Sequence, residues 1–130
     1  MQMKIVVDTS FLMAQGLFRV DLMGELERVV GGKFELLVPS QVIDELRALA
    51  ERGGPRERSA ARMGLDLASR GKVVEAEGPA DEAIFRMATE NRWAVGTNDG
   101  ELRRKLRRKG VPVIYLRGFS HLEMSGGPAG

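Results

Sequence analysis

The chain has 130 residues, 43% of them apolar and 29% charged, with a formal net charge of +2 and no cysteine. One domain with a substantial core is expected at this size, and the composition excludes a disordered chain, a disulfide scaffold and thiolate chemistry. No apolar run approaches the roughly 20 residues that span a bilayer, and the opening MQMKIVVD lacks the basic-then-apolar pattern of a signal peptide, so a cytoplasmic, reducing setting is expected.

In chain order, KIVVD at residues 4–8 is a short apolar run and predicts a buried strand. A helix follows from Phe11, broken at Gly16, and a second covers residues 21–30 until Gly31-Gly32 stops it. FELLV at 34–38 reads as a second strand. PSQVIDELRALAERGG reads as a helix capped by Ser40 and ended by Gly53-Gly54-Pro55. Another helix covers 56–70, KVVEA is a third strand, 79–91 a helix and WAVGT a fourth strand. A helix over 99–109 ends at Gly110, and VPVIYL is a fifth strand. Strands without polar alternation, alternating with helices, predict an α/β fold: a single-domain three-layer sandwich with a five-stranded parallel sheet and helices on both faces. The domain is expected over residues 1–118, with 119–130, ending in SGGPAG, as a flexible tail.

In such sheets ligands gather beyond the carboxyl ends of the strands. Asp8 stands at one such end, in VVDTSFLM, and Thr97-Asn98-Asp99 at another. Helix geometry, at about 100° per residue, sorts the other acids. In the helix from Ser40, the stripe of Val42, Ile43, Leu46, Leu49 and Ala50 puts Asp44 about 160° from its centre and Glu45 about 100° away, on the flank. In the helix from Pro79, Asp81 lies about 40° from the face of Ile84, Phe85, Met87 and Ala88, and Glu82 about 140° from it. Glu45 and Asp81 are therefore expected to face the crevice, and Asp44 and Glu82 to face solvent. Helix capping is an equally ordinary use for Asp8, Asp81 and Asp99. Carboxylates gathered in one place repel and lose solvation, which implies a cation. With no Cys and a single His, the donors are oxygens, which points to Mg²⁺ or Mn²⁺ rather than zinc.

Four short motifs in order resemble those of the PIN-domain ribonuclease family, in its small archaeal type, similar to the VapC toxins and the Fcf1-like ribosomal-RNA-processing nucleases. They are VVDTSFLM with Asp8, VPSQVIDEL with Glu45, PADEAIFRMA with Asp81 and VGTNDGELRRKL with Asp99, and the likeness runs from about Lys4 to Leu116. The resemblance implies a PIN-like fold and a Mg²⁺- or Mn²⁺-dependent endoribonuclease in which these four acids hold the metal against the scissile phosphate. In-line attack would then leave a 5′-phosphate and a 3′-hydroxyl. Thr9, Ser10 and Thr97 would orient the metal's waters. RNA is the implied substrate, with a homodimer and an antitoxin protein as implied partners and none in a membrane. The sequence lacks the further acid that many toxin members carry after the fourth motif, which leans toward the Fcf1-like side. A non-catalytic PIN module, binding RNA or serving as an assembly scaffold, is the alternative.

Charge is uneven along the chain. From Arg103 onward seven Lys/Arg stand against one acid, Glu123. The stretch LRRKLRRK puts Leu102 and Leu106 on one helical face and Arg103, Arg104, Arg107 and Arg108 on outward rows. Those arginines are either a solvated surface or a track for RNA phosphates. Trp93 is expected in the core, Tyr115 in a strand, Glu101 on an exposed helical face, and His121 without a role. A phosphoacceptor receiver would carry an Asp after its third strand and a Lys after its fifth, where this chain has VVEAEG and IYLRG. A haloacid-dehalogenase-like phosphatase would carry a second Asp where Ser10 stands.

Overall fold

The structure, a computed structural model, describes residues 2–126. The apolar run Met3–Val7 forms β1, buried on both faces, and the chain turns at Asp8 into helix α1, Thr9–Phe18. Helix α2, Leu22–Val30, ends at Gly31, whose φ of 69° is the left-handed conformation that closes a helix. Strand β2, Phe34–Pro39, leads into α3, Ser40–Arg52, and α4, Pro55–Ala68. Then come β3, Lys72–Val74; α5, Ala80–Asn91; β4, Ala94–Gly96; α6, Gly100–Arg108; β5, Val113–Arg117; and β6, His121–Ser125.

The sheet order is β3-β2-β1-β4-β5-β6. The first five strands pair in parallel, with Val6 opposite Leu37 on one side and Val95 on the other. Alternation along each strand splits the core into two layers. Ile5, Val7, Leu36, Val38 and Ile114 pack against helices α1 to α4. Val6, Leu37, Val95 and Val113 face the other way, against Ile84 and Ala88 of α5 and Leu102 and Leu106 of α6. Trp93 is partly buried on this second layer. The chain winds outward from β1 to β3, then crosses back to β4 on the far side of β1. The strand order therefore reverses between β1 and β4, the place where an open α/β sheet leaves a crevice beyond its strand ends.

Three expectations are corrected. The sheet has a sixth strand: His121–Ser125 pairs antiparallel with β5, Leu116 opposite Leu122. Part of the expected tail at 119–130 is thus ordered into the sheet, and residues 127–130 lie outside the described residues. Tertiary contacts hold that strand. The Glu25 carboxylate accepts from the Leu122 N–H at 2.9 Å, and the Arg28 guanidinium donates to the Leu122 carbonyl at 2.7 Å. The hydrogen bond from Arg28, then that from Leu122, holds the Glu25 carboxyl down at about 2. Second, α1 is not broken at Gly16. A Cβ there would stand 2.5 Å from the Ala60 Cα, so the glycine lets α1 and α4 approach rather than ending the helix. Third, Ser40 does not cap α3; it is the first helical residue, behind Pro39. No helix among the described residues is long and apolar enough to cross a membrane.

Candidate active site

At the carboxyl ends of β1 and β4 two aspartates are fixed by helix geometry. Asp8 caps α1: its Oδ1 accepts from the Phe11 N–H and the Ser10 hydroxyl, each at 2.8 Å. Its Oδ2 accepts from the Thr97 hydroxyl. Asp99 caps α6, with Oδ1 accepting from the N–H groups of Glu101 at 2.9 Å and Leu102 at 3.4 Å. Capping and a place on the crevice are therefore not alternatives for these two residues. One oxygen satisfies the helix end, and the carboxylate still faces the opening.

Thr97 joins the pair. It is fully buried, donates to Asp8 and accepts from the Asp99 N–H at 3.0 Å. Glu45, exposed on α3, accepts a hydrogen bond from the Thr9 hydroxyl. Asp81, exposed near the start of α5, is not its cap: Pro79 holds that position, with no side-chain bond to the helix end. Asp8, Glu45, Asp81 and Asp99 thus come from four separate segments, and with Thr9 and Ser10 they line one cleft of about 360 Å³.

Asp44 is exposed and lines neither this cleft nor its neighbour. Glu82 is exposed and off this cleft, as expected, but it lines an adjoining pocket of about 250 Å³, which shares Asp81, Asp99 and Leu102 with the cleft. Helix α6 packs beside α5 and supplies the other wall of this open pocket. Glu101 lines the same pocket.

Two residues that the sequence reading missed hold the site in place. The Asn98 backbone N–H and Nδ2 donate to Ser10, at 3.2 and 3.4 Å, while its Oδ1 accepts from the Leu116 N–H at 2.8 Å. It ties the start of α1 to β5 across the end of β4. The Gln41 amide donates to the carbonyls of Ala76 and Gly78, at 2.9 and 2.8 Å, so α3 anchors the loop that delivers Asp81. Each is an amide inside a motif, near the acid that the motif is read for, and nothing in the local pattern singles it out.

Burial raises the Asp8 carboxyl above its ordinary value, and the nearby Asp99 charge adds to this. The bonds from Thr97, Phe11 and Ser10 oppose it. Among the described residues none of the four acids has a salt-bridge partner. Nor are three acidic or imidazole groups gathered closely enough to hold a bare ion between them. Oxygen-only donors around an open cleft fit a hard cation that keeps much of its water shell, as Mg²⁺ does.

The basic helix begins at the cleft with Asp99. Arg103 is partly buried, its guanidinium 4.1 Å from the centre of the Tyr115 ring, while Arg104, Arg107 and Arg108 are exposed. His121 is exposed in β6, its Nε2 3.5 Å from Glu123, and does not line the cleft.

Comparison with known proteins accords with this architecture. The family described as PIN like domain matches residues 5–119. Ribonuclease VapC9 of Archaeoglobus fulgidus is 36% identical over 112 residues, covering 86% of this chain and 82% of that protein. Ribonuclease VapC4 of Methanocaldococcus jannaschii is 34% identical over 127 residues, covering 95% and 97%. Among solved structures, the PIN domain endonuclease Utp24 superposes with a TM-score of 0.78 at 22% identity, covering 95% of this chain and 92% of that one. A domain of a functionally unknown protein from Methanocaldococcus jannaschii superposes with a TM-score of 0.60, also at 22% identity, covering 89% and 92%. By the family match and the two relatives, the chain belongs to the PIN-like domain family.

Proposed function

We infer that the protein is an endoribonuclease that hydrolyses RNA phosphodiester bonds with Mg²⁺ or Mn²⁺. The observation that carries this reading is the convergence of Asp8, Glu45, Asp81 and Asp99, none of them ion-paired among the described residues, on one cleft at the strand-order reversal. The names of the two relatives, both ribonucleases VapC, support RNA as the substrate. Identity of 34–36% to these two ribonucleases VapC supports a VapC-type enzyme, with an antitoxin as partner, over a processing nuclease.

The four carboxylates would hold the cation. Bound there, it supplies Lewis-acid activation of water and neutralises charge on the phosphate. The chain's own part is preorganisation. Thr97 orients Asp8 and accepts from the Asp99 backbone, so the two aspartates keep a fixed relation. Thr9 fixes Glu45, and Ser10, held by Asn98, fixes the other oxygen of Asp8. Donors already in place need not reorganise during the reaction.

The test is cleavage of a labelled single-stranded RNA by purified protein with Mn²⁺, Mg²⁺ or chelator. Asp8→Asn, Glu45→Gln and Asp81→Asn should each lower metal-dependent cleavage by orders of magnitude, on the order of the hundredfold or more that one charge-stabilising group supplies. Asp44→Asn, next to Glu45 but off the cleft, should leave it unchanged. Equal activity in Glu45→Gln and Asp44→Asn would remove the four-carboxylate site. RNA binding without cleavage in any metal would leave the scaffold reading in its place.

A further inference from the structure

We propose that the pocket beside the cleft, between α5 and α6, is a nucleobase subsite that selects guanine next to the scissile phosphate. The inference rests on the ribonuclease reading for its place in the reaction. The pocket opens off the cleft through shared walls, Asp81, Asp99 and Leu102, and holds about 250 Å³. That lies below the roughly 300–1,000 Å³ of sites for drug-sized ligands, a size suited to one ring system. A base flanking a phosphate held at the four acids would meet this pocket first.

Its chemistry is divided. Phe85 and Leu102, partly buried and buried respectively, are its apolar lining, and an aromatic ring there suits a stacking base. The rim carries Glu82 and Glu101, both exposed. Lys105, which also lines the pocket, reaches to 3.6 Å from the Glu101 carboxylate, so that acid already has a cation. Glu82 has no salt-bridge partner among the described residues. An apolar slot edged by hydrogen-bond acceptors fits a flat ring whose edge presents donors.

The four bases differ at that edge. Single-stranded RNA offers its Watson–Crick edges to side chains. Guanine presents two adjacent donors there, N1–H and N2–H, which one carboxylate can accept together. Adenine and cytosine present one amino group beside a ring-nitrogen acceptor. Uracil presents one N–H between two carbonyl oxygens, which a carboxylate repels. The expected order is guanine first, adenine and cytosine next, uracil last. A good bidentate pair discriminates on the order of tenfold or more.

Two measurements test this. In the first, random-sequence single-stranded RNA is cut with Mn²⁺ and the new ends are sequenced. Guanine should be enriched on one side of the cut, and the Glu82→Gln, Glu101→Gln double variant should cut with that enrichment lost. In the second, guanosine and uridine are titrated in chelator and followed by amide NMR, which needs no cleavage. Guanosine should shift the amides of residues 82–85 and 101–102, on the order of tenfold more tightly than uridine. Phe85→Leu, which stays apolar and removes the ring, should weaken both nucleosides. Equal binding of guanosine and uridine, or a preference that the double variant keeps, overturns the subsite. Absence of cleavage in any metal would defeat the ribonuclease reading instead, and the nucleoside titration would still decide the pocket.

Discussion

Asp8 is a charged group at the end of a buried strand, and it serves two purposes at once. Its Oδ1 closes the first turn of α1, while its Oδ2 is tied to a buried threonine. Burial raises its proton affinity in the fold, so its contribution to stability is greatest below the ordinary value of 3.8 and is lost as pH rises through the raised one. Asn keeps the capping oxygen and removes the charge. In chelator at pH 7, Asp8→Asn should therefore melt above the wild type, and the gap should close as pH falls toward 3.8. With saturating Mn²⁺ the order should reverse, because only the wild type gains from the ion. Melting curves across pH, with and without metal, check this; a variant that melts lower in chelator would show the charge to be fully compensated by its three donors. Asp8 and Asp99 were legible in the sequence because acids at strand ends violate the hydrophobic pattern around them, and Glu45 and Asp81 because of their places on the faces of α3 and α5. Asn98 and Gln41 were not, because an amide in a loop or a first helical turn violates nothing, and its partners lie 18 to 88 residues away.

Between elements, the strands and most helix ends follow from apolar runs and glycine punctuation. The departures come from contacts distant in sequence. Gly16 reads as a breaker only while α4 is out of view; against Ala60 it is the contact point of two helices. Gly16→Ala should cost about 1–3 kcal/mol, the usual penalty of overpacking, although alanine is the better helix former by nearly 1 kcal/mol. Chemical denaturation with unchanged m would show it; a gain in stability would mean that α1 and α4 separate freely. Strand β6 was hidden for a related reason. HLEMS is short and weakly apolar, and its position depends on Glu25 and Arg28, about 95 residues earlier, gripping both backbone groups of Leu122. Local patterning carries no trace of that grip.

Over the whole molecule the charge is divided in a way that complements the proposed reaction. The cleft is acidic and by itself repels RNA, and the basic surplus lies from Arg103 onward. Helix α6 connects the two. Its first turn, capped by Asp99, stands at the cleft, and its last turn carries Lys105, Arg107 and Arg108. At 1.5 Å per residue the helix is about 13 Å long, so under the proposed function its basic end would meet an RNA strand beyond the scissile phosphate rather than at it. Arg103 is stacked on Tyr115 and partly buried, while Arg104, Arg107 and Arg108 are the exposed set. If they track phosphates, replacing all three by Gln should weaken binding of every single-stranded RNA alike. The slope of log affinity against log salt should fall by up to about 0.7 per lost contact. The helix itself should survive, since the change also removes repulsion between Arg104 and Arg108 one turn apart, worth about 0.2–0.5 kcal/mol. Circular dichroism checks the fold, and binding to a catalytically silent Asp81→Asn background separates affinity from cleavage. An unchanged salt slope would make the arginines a solvated surface. RNA would then have to be held by the cleft, its metal and the adjoining base pocket alone.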